Sequence, residues 1–143
     1  MLNITDLKCE NLTNPIGMDE KNPIFSWKLE SDKENTVQTR YELTVGNFTV
    51  NESCGDSINI EYTGPALRAK TKYPYSVTVW DNHGEVSCAE GYFVTGYMGK
   101  EPNAKWIARP GDVRPVFVKE FEFDGEDAYI TASCYGLFEI LIN

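Results

Sequence analysis

The chain has 143 residues, 41% hydrophobic and 13% aromatic, which suits one domain, or one sandwich of about 100 residues plus a remainder, and excludes a disordered composition. Thirteen Lys and Arg against 22 Asp and Glu give a formal charge of −9, a poor match for a phosphate backbone or an anionic bilayer. No nucleic acid and no membrane is therefore expected as a partner, whereas neutral sugars stay compatible.

Ile4 to Cys9 reads as a first strand, and Asn11 to Pro23 as a loop punctuated by Pro15, Gly17 and Pro23. Phe25, Trp27 and Leu29 alternate with Ser26 and Lys28, so a second strand carries a tryptophan on its core face. Tyr41, Leu43 and Val45 alternate with Glu42 and Thr44 in a third. Asn47 to Asp56 is polar, either a long hairpin or a loop with a short edge strand. Ser57 to Tyr62 is a weak strand closed by Gly64-Pro65. The clearest signal follows at Leu67 to Ser87. There Tyr73, Tyr75, Val77 and Val79 share one side of a strand, and Pro74, Ser76, Thr78 and Trp80 share the other. A turn on Asp81, Asn82 and Gly84 leads to a last strand, Cys88 to Thr95. About seven short strands separated by turn signals make an all-β chain with a sandwich, over residues 1–96.

Residues 97–115 are rich in Gly and Pro and read as a linker that docks through Trp106. Val116 to Phe123, Ala128 to Cys134 and Leu137 to Ile142 read as three more strands, around an acidic turn at Asp124-Gly125-Glu126-Asp127. Three strands with one apolar face need a cover. Residues 116–143 are therefore expected to begin a second β-domain that is cut short. They would be ordered by packing on the first domain or by strand exchange with a second copy, a strand-mediated homodimer. Met1 to Asp6 lacks the basic and apolar regions of a signal peptide, and no run reaches the roughly 18 apolar residues of a membrane helix, which points to the cytoplasm. The four Asn-x-Ser/Thr matches, beginning at Asn3, Asn11, Asn47 and Asn51, are then coincidental.

No catalytic residue, metal site or cofactor is expected. Cys9, Cys54, Cys88 and Cys134 form no C-x-x-C pair, and His83 is the only histidine. Free thiols in the core are the simplest reading, with a Cys9–Cys88 bridge the alternative. Glu120 and Glu122 face away from Phe121 and Phe123 as a solvated strand face. The acidic turn at Asp124, Glu126 and Asp127 clusters carboxylates but lacks EF-hand spacing. His83 belongs to a surface turn. Trp80 points away from the core, and Tyr92 is expected on the same outer face. Such aromatics pack locally, receive a neighbouring segment or stack on a sugar ring. Trp80, Tyr92 and Trp106 are the contact candidates.

Leu67-x-x-x-Thr71-x-Tyr73-x-x-x-Val77-x-Val79, followed by Gly84 and Ser87, resembles the E–F corner and F strand of a fibronectin type III domain. That fold would make Tyr73 the tyrosine-corner residue, with its hydroxyl bonded to nearby backbone. The resemblance extends through an ordered series: Asn14-Pro15-Ile16-Gly17-Met18-Asp19, Pro23-Ile24-Phe25-Ser26-Trp27, Gln38-x-x-Tyr41, Val79-Trp80-Asp81-x-x-Gly84, Trp106-Ile107 and Lys119-Glu120-Phe121. This series is similar to the N-terminus of bacterial α-L-rhamnosidases. Tyr135 to Asn143 resembles that family's G-x-Y-E-x-x-I-N-G run without its last glycine. Cys134 to Phe138 departs from the family's Gly-Leu-Gly-Tyr-like turn.

The resemblance implies a fibronectin-like module, then a β-sandwich domain, and later an (α/α)-barrel that removes terminal α-L-rhamnose with inversion. An inverting pair of carboxyl groups needs room for a water between them. The resemblance places that pair in the barrel, so no catalytic residue carries over. Three functions remain open: a non-catalytic structural and docking module whose partners are the other domains of a glycosidase, a carbohydrate-binding module for rhamnose-containing glycans using Trp80 and Tyr92, and a generic fibronectin-like interaction domain.

Overall fold

The computed structural model describes residues 1–111, 114–125 and 128–142. It comprises two compact units, Met1–Ala104 and Lys105–Asn143.

The first unit holds eight strands. β1 (Leu2–Cys9), β3 (Ile24–Ser31) and β6 (Ile60–Glu61) form one sheet in the order β1-β3-β6. β2 (Ile16–Met18), β8 (Val86–Thr95), β7 (Lys72–Asp81), β4 (Gln38–Val45) and β5 (Phe48–Glu52) form the other, in the order β2-β8-β7-β4-β5. Every pairing is antiparallel except β2 with β8. The inner faces meet on Phe25 and Trp27 of β3, Tyr41, Leu43 and Val45 of β4, Tyr75, Val77 and Val79 of β7, and Phe93 of β8. Alternation puts each of them inward, as a strand with one buried face requires.

Buried aromatic residues need both packing and polar satisfaction. Phe25 meets Tyr75 edge-on at 4.9 Å, and Trp27 meets Tyr41 edge-on at 5.3 Å. The Trp27 indole N–H donates to Gln38 Oε1 at 2.9 Å. Gln38 Nε2 in turn donates to the carbonyls of Cys54 (3.3 Å) and Asp56 (2.7 Å). The expected tyrosine corner is present, with Tyr73 Oη accepting from the Arg68 backbone N–H at 2.8 Å. Leu67, the first residue of the corner motif, is buried. Pro74 fits in β7 because the β4–β7 ladder ends at Val45 and Tyr75. Its carbonyl points past that end to the N–H of Gly46, so the missing proline N–H breaks no ladder bond.

Two features differ from the sequence expectation. Residues 16–18 form β2 instead of continuing a loop. The three expected strands of 116–143 are not formed among the described residues of the second unit. Val116, Val118, Leu137 and Leu141 are exposed there. A strand's apolar face is stable only against a second layer, and none covers these side chains among the described residues.

Candidate functional site: the outer sheet face and the chain exit

The five-stranded sheet turns its outer face to solvent, and Trp80 and Tyr92 both lie on it. Trp80 sits between Arg40 on β4 and Val86 on β8, whereas Tyr92 sits opposite Pro74, six residues from Trp80 along β7. At strand rise that is about 20 Å. The two rings share a face without forming one stacking platform. Each already carries a cation: the Arg40 guanidinium lies 4.4 Å from the Trp80 ring centre, and the Lys72 ammonium lies 4.7 Å from that of Tyr92. Arg40 Nη2 also donates to Asn51 Oδ1 at 2.8 Å, which ties the guanidinium to β5. Near the Tyr92 end of the face a shallow cavity of about 270 Å³ is lined by Thr44, Gly46, Pro74, Tyr75, Ser76, Glu90 and Gly91.

The other chemistry-bearing residues are placed structurally. The Cys9 thiol is fully buried, 4.0 Å from Met18 Sδ, and burial pushes it up to about 12. Burial likewise raises the Tyr75 phenol. Asp6 lies below the usual carboxylate range because Lys28 (2.7 Å) and Lys8 (3.1 Å) pair with it. All four cysteines are free, and Cys88 is exposed on the outer face, so the Cys9–Cys88 alternative does not occur. His83 is exposed in its turn, with its backbone N–H on Asp81 Oδ1 at 2.9 Å. Among the described residues no group of His, Cys, Asp and Glu has a metal-holding arrangement. Glu126 and Asp127 of the acidic turn lie outside the described residues, as does Asn143. Trp106, 67% exposed, stacks on Tyr135 within the second unit at 4.8 Å.

Sequence reasoning missed the role of Asn14 to Asp19. Asn14 Oδ1 accepts the Tyr92 N–H at 3.0 Å, the Pro15 carbonyl accepts the Val94 N–H at 2.9 Å, and the Met18 carbonyl accepts the Gly96 N–H at 2.6 Å. This short parallel strand clips the last strand of the sandwich just before the chain leaves it. Its signal was the motif itself, because three residues are too few for alternation to register.

Residues 4–99 match the family described as "Rha78A-like, N-terminal immunoglobulin domain". The chain belongs to that family. The Rha78A-like match begins inside β1 and ends just past β8, so it takes in both sheets and the β2 clip. An alpha-L-rhamnosidase of Streptomyces avermitilis is 32% identical over 123 residues, covering 76% of this chain and 12% of that protein. One of Formosa agariphila is 28% identical over 119 residues, covering 71% of this chain and 12% of that protein. The crystal structure of the Streptomyces avermitilis alpha-L-rhamnosidase complexed with L-rhamnose superposes with a TM-score of 0.70 at 30% identity, over 77% of this chain and 12% of that one. The alpha-L-rhamnosidase from Dictyoglumus thermophilum gives 0.62 at 34% identity, over 66% of this chain and 12% of that one. The Rha78A-like chain thus spans about an eighth of the length of these relatives.

Proposed function

We propose that this chain is the non-catalytic N-terminal part of an α-L-rhamnosidase-type glycoside hydrolase, and that it serves as a structural module on which the other domains of the enzyme dock. The observation that carries this reading is the match of residues 4–99 to an N-terminal immunoglobulin domain family, together with relatives of which this chain covers 12%. The chemistry then belongs to polypeptide outside this chain, where an acid and a base can face each other across a sugar pocket. The apolar side chains of residues 116–142 supply the docking surface, and the rest of the glycosidase is their cover. Strand exchange with a second copy is the competing cover, and light scattering on the purified chain tells the two apart. Hydrolysis of an aryl α-L-rhamnoside tests the main reading. The 143-residue chain is expected to give no turnover above blank, while the longer protein turns over. Turnover by the chain alone would sink it.

A second reading, sugar binding, draws on Trp80, Tyr92 and the shallow cavity near Tyr92. Against it stands the separation of the two rings. Titration with rhamnose-containing oligosaccharides, read by tryptophan fluorescence, discriminates: quenching that Trp80→Phe abolishes supports binding, and no change supports docking.

A further inference from the structure

The last strand ends at Thr95, but the backbone does not leave the module there. The Gly96 N–H donates to the Met18 carbonyl on one side, and the Gly96 carbonyl accepts from the Lys70 N–H at 2.8 Å on the other. Two residues on, the Met98 N–H donates to Asp19 Oδ1 at 2.6 Å. The Lys100 N–H then closes a turn onto the Tyr97 carbonyl at 3.0 Å, and the Lys70 ammonium lies 4.2 Å from the centre of the Tyr97 ring. The Met98 side chain packs against the core.

The backbone here is also unusual. Met98 has φ +52 and Gly99 has φ +76, two left-handed residues in succession. Glycine accepts that conformation freely, whereas a methionine pays for it in steric strain. A strained residue persists only where its surroundings over-determine it. A charge-assisted hydrogen bond from the Met98 N–H to Asp19 and a packed side chain do so here. Space is equally tight at Gly96, where an added Cβ would lie 2.7 Å from Asp19 Oδ1 and 2.9 Å from the Gly17 carbonyl oxygen.

We propose that Asp19, Gly96 and Met98 form a latch that fixes the direction in which the chain leaves the sandwich. The module then presents a rigid exit to the polypeptide that follows. The latch deepens, and rests on, the reading of this chain as a structural module. Its residues join the β2 clip to the exit turn, which gives the Asn14–Asp19 stretch a purpose beyond pairing β8. Asp19 acts here as a positioning residue.

Amide hydrogen exchange on the 143-residue chain tests the latch, with Asp19→Ala and the milder Asp19→Asn. In the parent chain the Gly96 and Met98 amides are expected to be protected relative to those of Glu101, Asn103 and Ala104 among residues 101–104. Asp19→Ala is expected to speed exchange at Met98 by about tenfold or more, from loss of a hydrogen bond to a charged acceptor. Asp19→Asn, which keeps an acceptor oxygen, should lose less. Val77 and Val79 in the core should exchange as before, and tryptic cleavage after Lys100 should rise in step with Met98. The latch is wrong if Met98 already exchanges as fast as residues 101–104 in the parent, or if Asp19→Ala leaves it unchanged. It is also wrong if both variants lower protection at Val77 and Val79 as much as at Met98, because Asp19 then supports the core and not the exit. These readouts need no sugar and no activity. A longer protein that fails to hydrolyse rhamnosides would overturn the proposed enzyme and leave the exchange result standing.

Discussion

Trp27 brings an indole N–H into a core where Gln38 receives it. Gln38 is itself buried, and its amide satisfies two loop carbonyls that would otherwise lack its donors. Replacing it with an apolar side chain of similar size strands one donor at once. Gln38→Met is therefore expected to cost about 2–3 kcal/mol, read as a lower urea midpoint at unchanged slope. Burial of weakly acidic side chains, Cys9 and Tyr75 above all, lowers stability at alkaline pH. Cys9 is raised by burial to about 12 from an ordinary 9.0, and Tyr75 is raised in the same direction. A folded-state value above the unfolded one means that the unfolded chain loses its proton first. The associated stability is whole below pH 9 and declines as pH climbs from 9 toward 12. Cys9→Ala is expected to flatten the fall of the urea midpoint between pH 9 and 11, and an unchanged slope would contradict it. At neutral pH a thiol reagent should label Cys88 and spare Cys9 in the folded chain.

At the scale of elements, most of the sandwich was legible because it rests on long alternating strands. The strands carrying Trp27, Tyr41 and Tyr75 announce themselves by period, and the turn at Asp81 to Gly84 by its residue types. The tyrosine corner was legible by resemblance, and its hydrogen bond has the expected partner type. β2 was not legible, since Pro15 and Gly17 look like loop punctuation and the strand makes its bonds to a partner far along the chain. Gly17 has φ +84 with nothing within 4 Å of an added Cβ, so only its backbone conformation constrains it. Gly17→Ala is thus expected to destabilise the sandwich by about 1 kcal/mol through strain alone. Thermal melting should show that drop, and a neutral or stabilising outcome would mean that β2 carries little of the fold. In the candidate site, alternation placed Trp80 and Tyr92 on one face but gave no measure of their separation. That separation depends on the β7–β8 register, which only the fold supplies.

At the scale of the whole molecule, the strands expected in 116–143 were read from local period, and period alone does not provide a second layer. Apolar side chains such as Val116 and Leu137 remain exposed, while the first unit buries a core that includes Phe25, Trp27, Val77 and Phe93. The two units therefore stand in different positions. The sandwich fills its core from its own residues, which suits a scaffold. The segment after it carries exposed apolar side chains, which fits the proposed docking role. The most direct test is steady-state kinetics on the longer protein with and without residues 1–104, each variant normalised to its folded fraction. The expected result is a kcat on a small aryl α-L-rhamnoside within about threefold of the parent, together with a lower melting temperature. A folded, equally stable truncation whose kcat falls by more than about a hundredfold would contradict a non-catalytic module and place a reacting group within it.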